Sequence, residues 1–343
     1  MAARVPLAER KMAGKTTVAA LRRWWQGAMV LNRTAPAVRG GAALLDRELG
    51  WFIDDATVGP RRRHEDEDED GRVDLRCEVA ELERQWRRRL DDAVPLQYIV
   101  RGAPWRDHLI YVEEGACLIP RPETEQLIDL VLELEAAEVA AVQVGAAMGG
   151  SGSDVGGGID GAWVDLGTGS GCIALALASE LQSRPSVVAL DASDAALDIA
   201  SINCERLDAQ RAVALRNGDM RDLASVLDAA YPHVGRCRGV VSNPPYIECA
   251  AIAELHAEVA HHEPHAALDG GADGGAELLF AAVGAAEELL QSGGLLALET
   301  GAGGQAERIV AHLEVGARGA RWRGAHSRAD YAGFERFVFA RRA

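Results

Sequence analysis

From residue 162 onward the chain alternates short apolar runs with stretches of helical period, and that alternation leaves few folds open. The runs at 162–166, 187–190, 212–215, 239–242 and 295–299 are short and almost uniformly apolar, the pattern of strands buried on both faces. Helical periods at 173–181, 195–207 and 278–290 lie between them. Parallel neighbours need crossover connections, so strand, helix and strand in succession predict a doubly wound α/β sheet.

The first crossover of that sheet carries Val164-Asp-Leu-Gly-Thr-Gly-Ser-Gly-Cys172. Glycines at a strand-to-helix turn let the backbone bend sharply and approach a ligand with no Cβ in the way. The dinucleotide fingerprint needs G-x-G-x-x-G, and placing it on Gly167 and Gly169 puts Cys172 where the third glycine belongs. The spacing is instead G-x-G-x-G, preceded by Asp165, and a second acid, Asp191, closes the next strand where a carboxylate can accept both hydroxyls of a ribose. Together these favour an adenosine ligand without a pyrophosphate, namely S-adenosylmethionine, over a dinucleotide or a turn that binds nothing.

After the fourth strand the chain reads Val240-Val-Ser-Asn-Pro-Pro-Tyr-Ile247. Two prolines make a stiff extended turn, so the Asn243 amide and the Pro244 carbonyl project from the carboxyl edge of the sheet as a preset pair of acceptors. Such a pair suits a planar amide or exocyclic amine, whose delocalised lone pair makes it a poor nucleophile. Two accepted N–H groups would orient that nitrogen toward a sulfonium methyl for in-line displacement. Pro245 completes the turn, and Tyr246 would supply a flat wall against the planar group.

The segments before this sheet read as a small domain. Helical periods at 21–29, 42–52 and 79–90 predict a helical domain over residues 1–94. It is interrupted by a solvated loop at 61–72 that carries the like-charge block 65–70. Residues 95–117 read as a hairpin linker and 118–343 as the α/β domain, with a helix at 124–138 and a Gly-rich insertion at 145–161.

These motifs, taken together, resemble the HemK/PrmC family of protein glutamine N5-methyltransferases, which modify the glutamine of the Gly-Gly-Gln loop in peptide chain release factors. The resemblance runs from about Leu96 to the C-terminus through Pro95-Leu-Gln-Tyr98, Leu118-Ile-Pro-Arg-Pro-Glu-Thr-Glu125, Asp165-Leu-Gly-Thr-Gly-Ser-Gly171 and Asn243-Pro-Pro-Tyr246. It continues through Glu263-Pro264, Ala267-Leu-Asp-Gly-Gly271, and Glu299 with Gly301 and Gln305. Nucleic-acid amino-methylases share the G-x-G and N-P-P-Y elements but not Ile-Pro-Arg-Pro-Glu-Thr-Glu. Residues 21–25, 48–56 and 86–105 look most like the cyanobacterial and plastid branch.

The resemblance implies a class I S-adenosylmethionine-dependent methyltransferase fold with a small N-terminal helical domain that docks the release factor. It implies cofactor contacts at Asp165, Gly167, Thr168, Gly169, Ser170, Gly171, Asp191 and Asn243, and substrate contacts at Asn243, Pro244, Pro245 and Tyr246. Asp219 and Met220 stand after the third strand, where the family often has an aromatic residue beside the adenine.

Composition narrows the rest. With 36 basic and 52 acidic residues the net charge is -16, which argues against a protein that gains its affinity from nucleic-acid phosphates. The competing reading, methylation of adenine N6 or guanine N2 in nucleic acid, would need a basic groove; a non-catalytic adaptor would not need both motifs intact. Six scattered cysteines without a C-x-x-C pair read as reduced thiols. His256, His261, His262 and His265 lack an accompanying Cys, so no metal is expected. No apolar run is long enough to span a membrane, and a monomer that does not bind DNA directly is expected. The first 39 residues carry one acid, Glu9, among many basic residues. Residues 1–20 would therefore send the chain to a plastid or mitochondrion if they act as a transit segment, and otherwise it is cytoplasmic.

Overall fold

The computed structural model describes residues 4–33, 41–57, 72–147, 161–315 and 321–343. They divide into two compact units, Met1–Gly115 with Glu254–Glu263, and Ala116–Ala253 with Pro264–Ala343.

The first unit contains β1 (Gly14–Thr17), α1 (Val18–Asn32), α2 (Gly41–Ala56), β2 (Arg72–Leu75), α3 (Val79–Asp91), α4 (Leu96–Val100), β3 (Gly102–Trp105) and β4 (His108–Tyr111). Thr17 starts α1 by accepting the Ala20 N–H, 3.1 Å away, at an otherwise orphan first-turn donor. On α2, Leu45, Leu49, Phe52 and Ile53 form the buried stripe that a helical period requires. Phe52 stacks on Trp86 of α3 with ring centroids 5.9 Å apart. The Trp86 indole, unable to stay unpaired in a core, donates to Asn32 at 3.1 Å.

Arg89 is 1% exposed. Its guanidinium takes both carboxylate oxygens of Glu48, at 2.7 and 3.0 Å, and Glu258 at 2.8 Å, which fastens the segment 254–263 to this unit. Opposite charges so placed hold the guanidinium above its ordinary pKa despite desolvation. The residues considered for a transit segment take part in the same fold, since β1 pairs antiparallel with β2 and Leu7 is buried. Residues 96–111 of the expected linker are α4 and the β3–β4 hairpin, inside this unit. The charge block 65–70 lies outside the described residues.

The second unit opens with α5 (Pro122–Ala147), then β5 (Trp163–Leu166), α6 (Cys172–Glu180), β6 (Val187–Asp191), α7 (Asp194–Arg206), β7 (Val213–Asn217), α8 (Leu223–Ala230) and β8 (Cys237–Ser242). It closes with α9 (Glu277–Leu289), β9 (Leu290–Glu299), α10 (Gln305–Val315), β10 (Trp322–Ala329) and β11 (Glu335–Arg342). Seven strands form one sheet in the order β10-β11-β9-β8-β5-β6-β7, with β11 antiparallel to both of its neighbours and the rest parallel.

The five expected strands are all present, and α5 is longer than the periodicity at 124–138 suggests. Its last turns are Ala-rich, so strong helix propensity carries it into the stretch expected to be a Gly-rich insertion at 145. Residues 148–160 of that insertion lie outside the described residues. β10 escapes a sequence reading because it is an edge strand whose mixture of arginine, glycine and histidine shows no apolar run.

This strand order places the topological switch between β5 and β8, paired in register from Trp163 with Gly239 to Leu166 with Ser242. The Ser242 hydroxyl donates to the Leu166 carbonyl at 2.6 Å and pins the two strand ends together. A crevice at the carboxyl ends of such a pair is where open α/β sheets bind ligands.

Candidate active site

The crevice holds a cavity of about 260 Å³, walled entirely by residues of the second unit. Its first wall is the turn from β5 to α6. Gly167, Gly169 and Gly171 have φ of 76°, 55° and 84°, left-handed values that a side chain would strain. Below the turn the fully buried Asp165 accepts the Thr168 hydroxyl at 2.6 Å and the Ala174 N–H at 3.1 Å, tying the loop to the start of α6. Burial pushes the Asp165 carboxyl up to about 7, and one of its oxygens has no hydrogen-bond partner.

Asp191 closes β6 on the far side of the same loop. Its Oδ2 accepts the Gly169 N–H at 2.8 Å and its Oδ1 the Ser193 N–H at 2.9 Å. Burial raises this carboxyl while those N–H groups pull it back. Each oxygen keeps a second lone pair, so a carboxylate locked by backbone can accept two ligand hydroxyls without rearranging. Asp219 and Met220 follow β7 and complete this wall.

The second wall is the turn after β8. Asn243 and Pro245 line the cavity, Pro244 is buried behind them and Tyr246 is half-buried. Glycines hold the tyrosine in place by close approach: a Cβ on Gly275, whose φ is 76°, would collide with the Tyr246 carbonyl oxygen. Gln305 binds the same turn from α10, donating to the Tyr246 carbonyl at 2.9 Å and the Gly274 carbonyl at 2.7 Å while its oxygen accepts the Gly301 N–H at 2.8 Å. Burial lifts the Tyr246 phenol to about 12, so it remains protonated.

The third wall is the Leu-Ile-Pro-Arg-Pro-Glu-Thr-Glu segment, through Leu118, Pro120, Arg121 and Thr124. Thr124, in the first turn of α5, receives a hydrogen bond from Asn243 Nδ2 at 3.0 Å and donates one to Glu299 Oε2 at 2.8 Å. Glu299 ends β9 and is 1% exposed; burial is the chief cause that raises its carboxyl to about 7.

The structure therefore brings Gly167, Thr168, Gly169, Ser170, Asp191, Asp219, Met220, Asn243 and Pro245 to one cavity. Asp165, Gly171, Pro244 and Tyr246 adjoin these residues in the chain but do not line the cavity. Thr124, Glu299 and Gln305 were not assigned roles from sequence, although each lies in a segment that carries the family resemblance. Of the four histidines, His256, His261 and His262 lie in the first unit, where His262 bonds the Asp92 carbonyl at 2.7 Å, whereas His265 lies in the second. His265 stands beside exposed Cys249 and half-buried Asp269, with ligand atoms within 4.8 Å of one another, and none of the three lines the cavity. No helix among the described residues is long and apolar enough to cross a membrane.

Residues 155–272 match the model of the methyltransferase small domain. The chain is 40% identical over 255 residues to the release factor glutamine methyltransferase of Gloeobacter violaceus, covering 74% of this chain and 76% of that one. It is 35% identical over 282 residues to the release factor glutamine methyltransferase of Thermosynechococcus vestitus, covering 82% and 85% respectively. Among solved structures it is similar to a human methyltransferase 10 domain containing protein, at 17% identity and a TM-score of 0.42, covering 66% of this chain and 84% of that one. With a glycine loop and an N-P-P-Y turn at one sheet edge, and relatives aligned over most of its length, the chain belongs to the release factor glutamine methyltransferase family.

Proposed function

We propose that this protein transfers the methyl group of S-adenosylmethionine to the side-chain amide nitrogen of the Gly-Gly-Gln glutamine of a peptide chain release factor. The observation that carries the reading is the juxtaposition of Asp191 and Asn243 on opposite walls of one cavity, with relatives named for that activity.

The residues present suit the cofactor. Asp191, held by two backbone N–H groups, would accept the ribose hydroxyls, and the glycine turn leaves room for a ligand against its backbone. Met220, beside Asp219, would cover the adenine face with a polarisable thioether. When bound, S-adenosylmethionine supplies an electrophilic methyl on a sulfonium, poised for in-line displacement. Asn243 Oδ1 and the Pro244 carbonyl would accept the two N–H groups of the substrate amide and aim its nitrogen at that methyl. The protonated phenol of Tyr246 adds a flat face without a charge. No strong base is required, because the methylated nitrogen is acidic enough to lose its proton to water.

The helical first unit is proposed to dock the release factor. If residues 1–20 act as a transit segment the protein is sent to a plastid or mitochondrion, and otherwise it is cytoplasmic; the mature N-terminus from the native source is the test. The net charge of -16 weighs against the nucleic-acid reading. The deciding experiment supplies labelled S-adenosylmethionine with a bacterial or plastid release factor, and separately with DNA and rRNA. Label on the release factor glutamine is expected; label on nucleic acid and none on the release factor overturns the reading.

A further inference from the structure

The buried chain Glu299–Thr124–Asn243 does more than fill space. A threonine hydroxyl has one proton and can accept as well as donate. An ionised Glu299 can only accept, so the Thr124 proton goes to it, across 2.8 Å. Thr124 must then accept from Asn243, and the only part of that amide able to donate is Nδ2, at 3.0 Å. With Nδ2 turned to Thr124, Oδ1 is the acceptor that Asn243 has left to offer in the cavity it lines.

We infer that Glu299 and Thr124 are positioning residues that set the orientation of the Asn243 amide and so present an acceptor, rather than a donor, to the N–H of the methylated amide. The inference rests on the activity proposed above but makes a separate claim. Protonation of Glu299 removes that one-way constraint, because the carboxylic acid keeps a carbonyl acceptor but gains an O–H donor, and the chain then also runs in reverse. In the reversed arrangement the acid donates to Thr124, the Thr124 proton turns toward Asn243, and the flipped amide presents Nδ2 to the substrate N–H, where two donors oppose each other. The charged groups facing Glu299 are Arg121 and Arg336, which favour ionisation, and Glu123, which opposes it; Tyr246 beside it stays protonated. Desolvation outweighs the two arginines and puts the carboxyl at about 7. Methyl transfer is therefore expected to rise as pH climbs through about 7 and to level off above it.

The test measures kcat against pH for the full-length protein with its release factor at saturating S-adenosylmethionine, alongside the side-chain amide resonance of Asn243 by 15N NMR without substrate. In the wild type both should titrate near pH 7. Glu299→Gln should lower kcat on the order of 10- to 100-fold, as expected for a mispositioned reacting group, with KM for S-adenosylmethionine unchanged and the acid limb gone. Thr124→Val should do the same, Thr124→Ser should restore activity, and the double variant should be no worse than either single one. An Asn243 resonance that does not titrate, or variants that lose thermal stability but keep the acid limb, would overturn the inference. A wild type that leaves the release factor unlabelled would defeat the proposed activity instead, and the NMR titration still decides the positioning role.

Discussion

One end of the cavity is assembled from a single stretch of chain, residues 167–221, and its working contacts are largely backbone: the glycine turn and the N–H groups that lock Asp191. The other end is assembled from segments far apart in sequence, with Asn243, Thr124 and Glu299 meeting through side chains and Gln305 tying the turn beneath them. Backbone contacts survive substitution of neighbouring side chains, whereas a chain of side-chain hydrogen bonds fails when one member changes. The end proposed to hold the cofactor is thus built to be robust, and the end proposed to orient the substrate amide is built to be directional.

The largest effect should come from the directional end. Asn243→Ala removes the acceptor proposed for the reacting nitrogen and should cut kcat by about 100- to 1,000-fold. Binding of S-adenosylmethionine, followed by calorimetry, should weaken far less, since Asn243 is one of several implied cofactor contacts. Full activity in this variant would end the proposed role of the turn. At the robust end, Asp191→Ala removes a charged acceptor that also holds the loop. Cofactor affinity should fall by about 2–3 kcal/mol, on the order of 100-fold, with kcat at saturation much less affected. A change in kcat without a change in affinity would mean that the two ends are not separable as described.

A smaller and more diagnostic change is Gly275→Ala. The added methyl group meets the Tyr246 carbonyl, so the turn must shift, at a cost of about 1–3 kcal/mol in stability by thermal melting. Activity on the release factor should drop while cofactor affinity holds. The smallest effect on activity comes from Asp165, whose role shows instead in stability against pH. Asp165 is raised in the folded protein to about 7 from an ordinary 3.8, so the folded state holds its proton where the unfolded chain has released it. Stability should therefore fall as pH rises between about 4 and 7. Asp165→Asn should flatten part of that slope in melts across this range and keep cofactor binding, since Asp165 lies beneath the loop rather than in the cavity. Loss of binding in this variant would make Asp165 part of the ligand wall.

The difference between the ends also explains what could be read in advance. Gly167, Gly169, Asp191 and Asn243 were recognisable because each follows directly from a strand end, where order along the chain dictates position in space. Thr124 and Glu299 were visible only as parts of matching segments, because nothing local says that the first turn of α5 reaches the end of β9. The edge strand β10 was missed for a related reason: a strand that needs only one partner and faces solvent leaves little periodicity to detect.

The amino-acid sequence by itself determined the alternation of strands and helices, the glycine turn, the stiff proline turn and the acids at the strand ends, since all of these depend on local backbone preference and apolar periodicity. Only the tertiary structure decided that the second and third of these meet across one cavity, that Asp165 lies under the loop while Asp191 lines the cavity, and that a buried glutamate reaches the Asn243 amide through Thr124. Hydrogen-bond direction and burial are properties of groups brought together from distant parts of the chain, and no stretch of sequence encodes them alone.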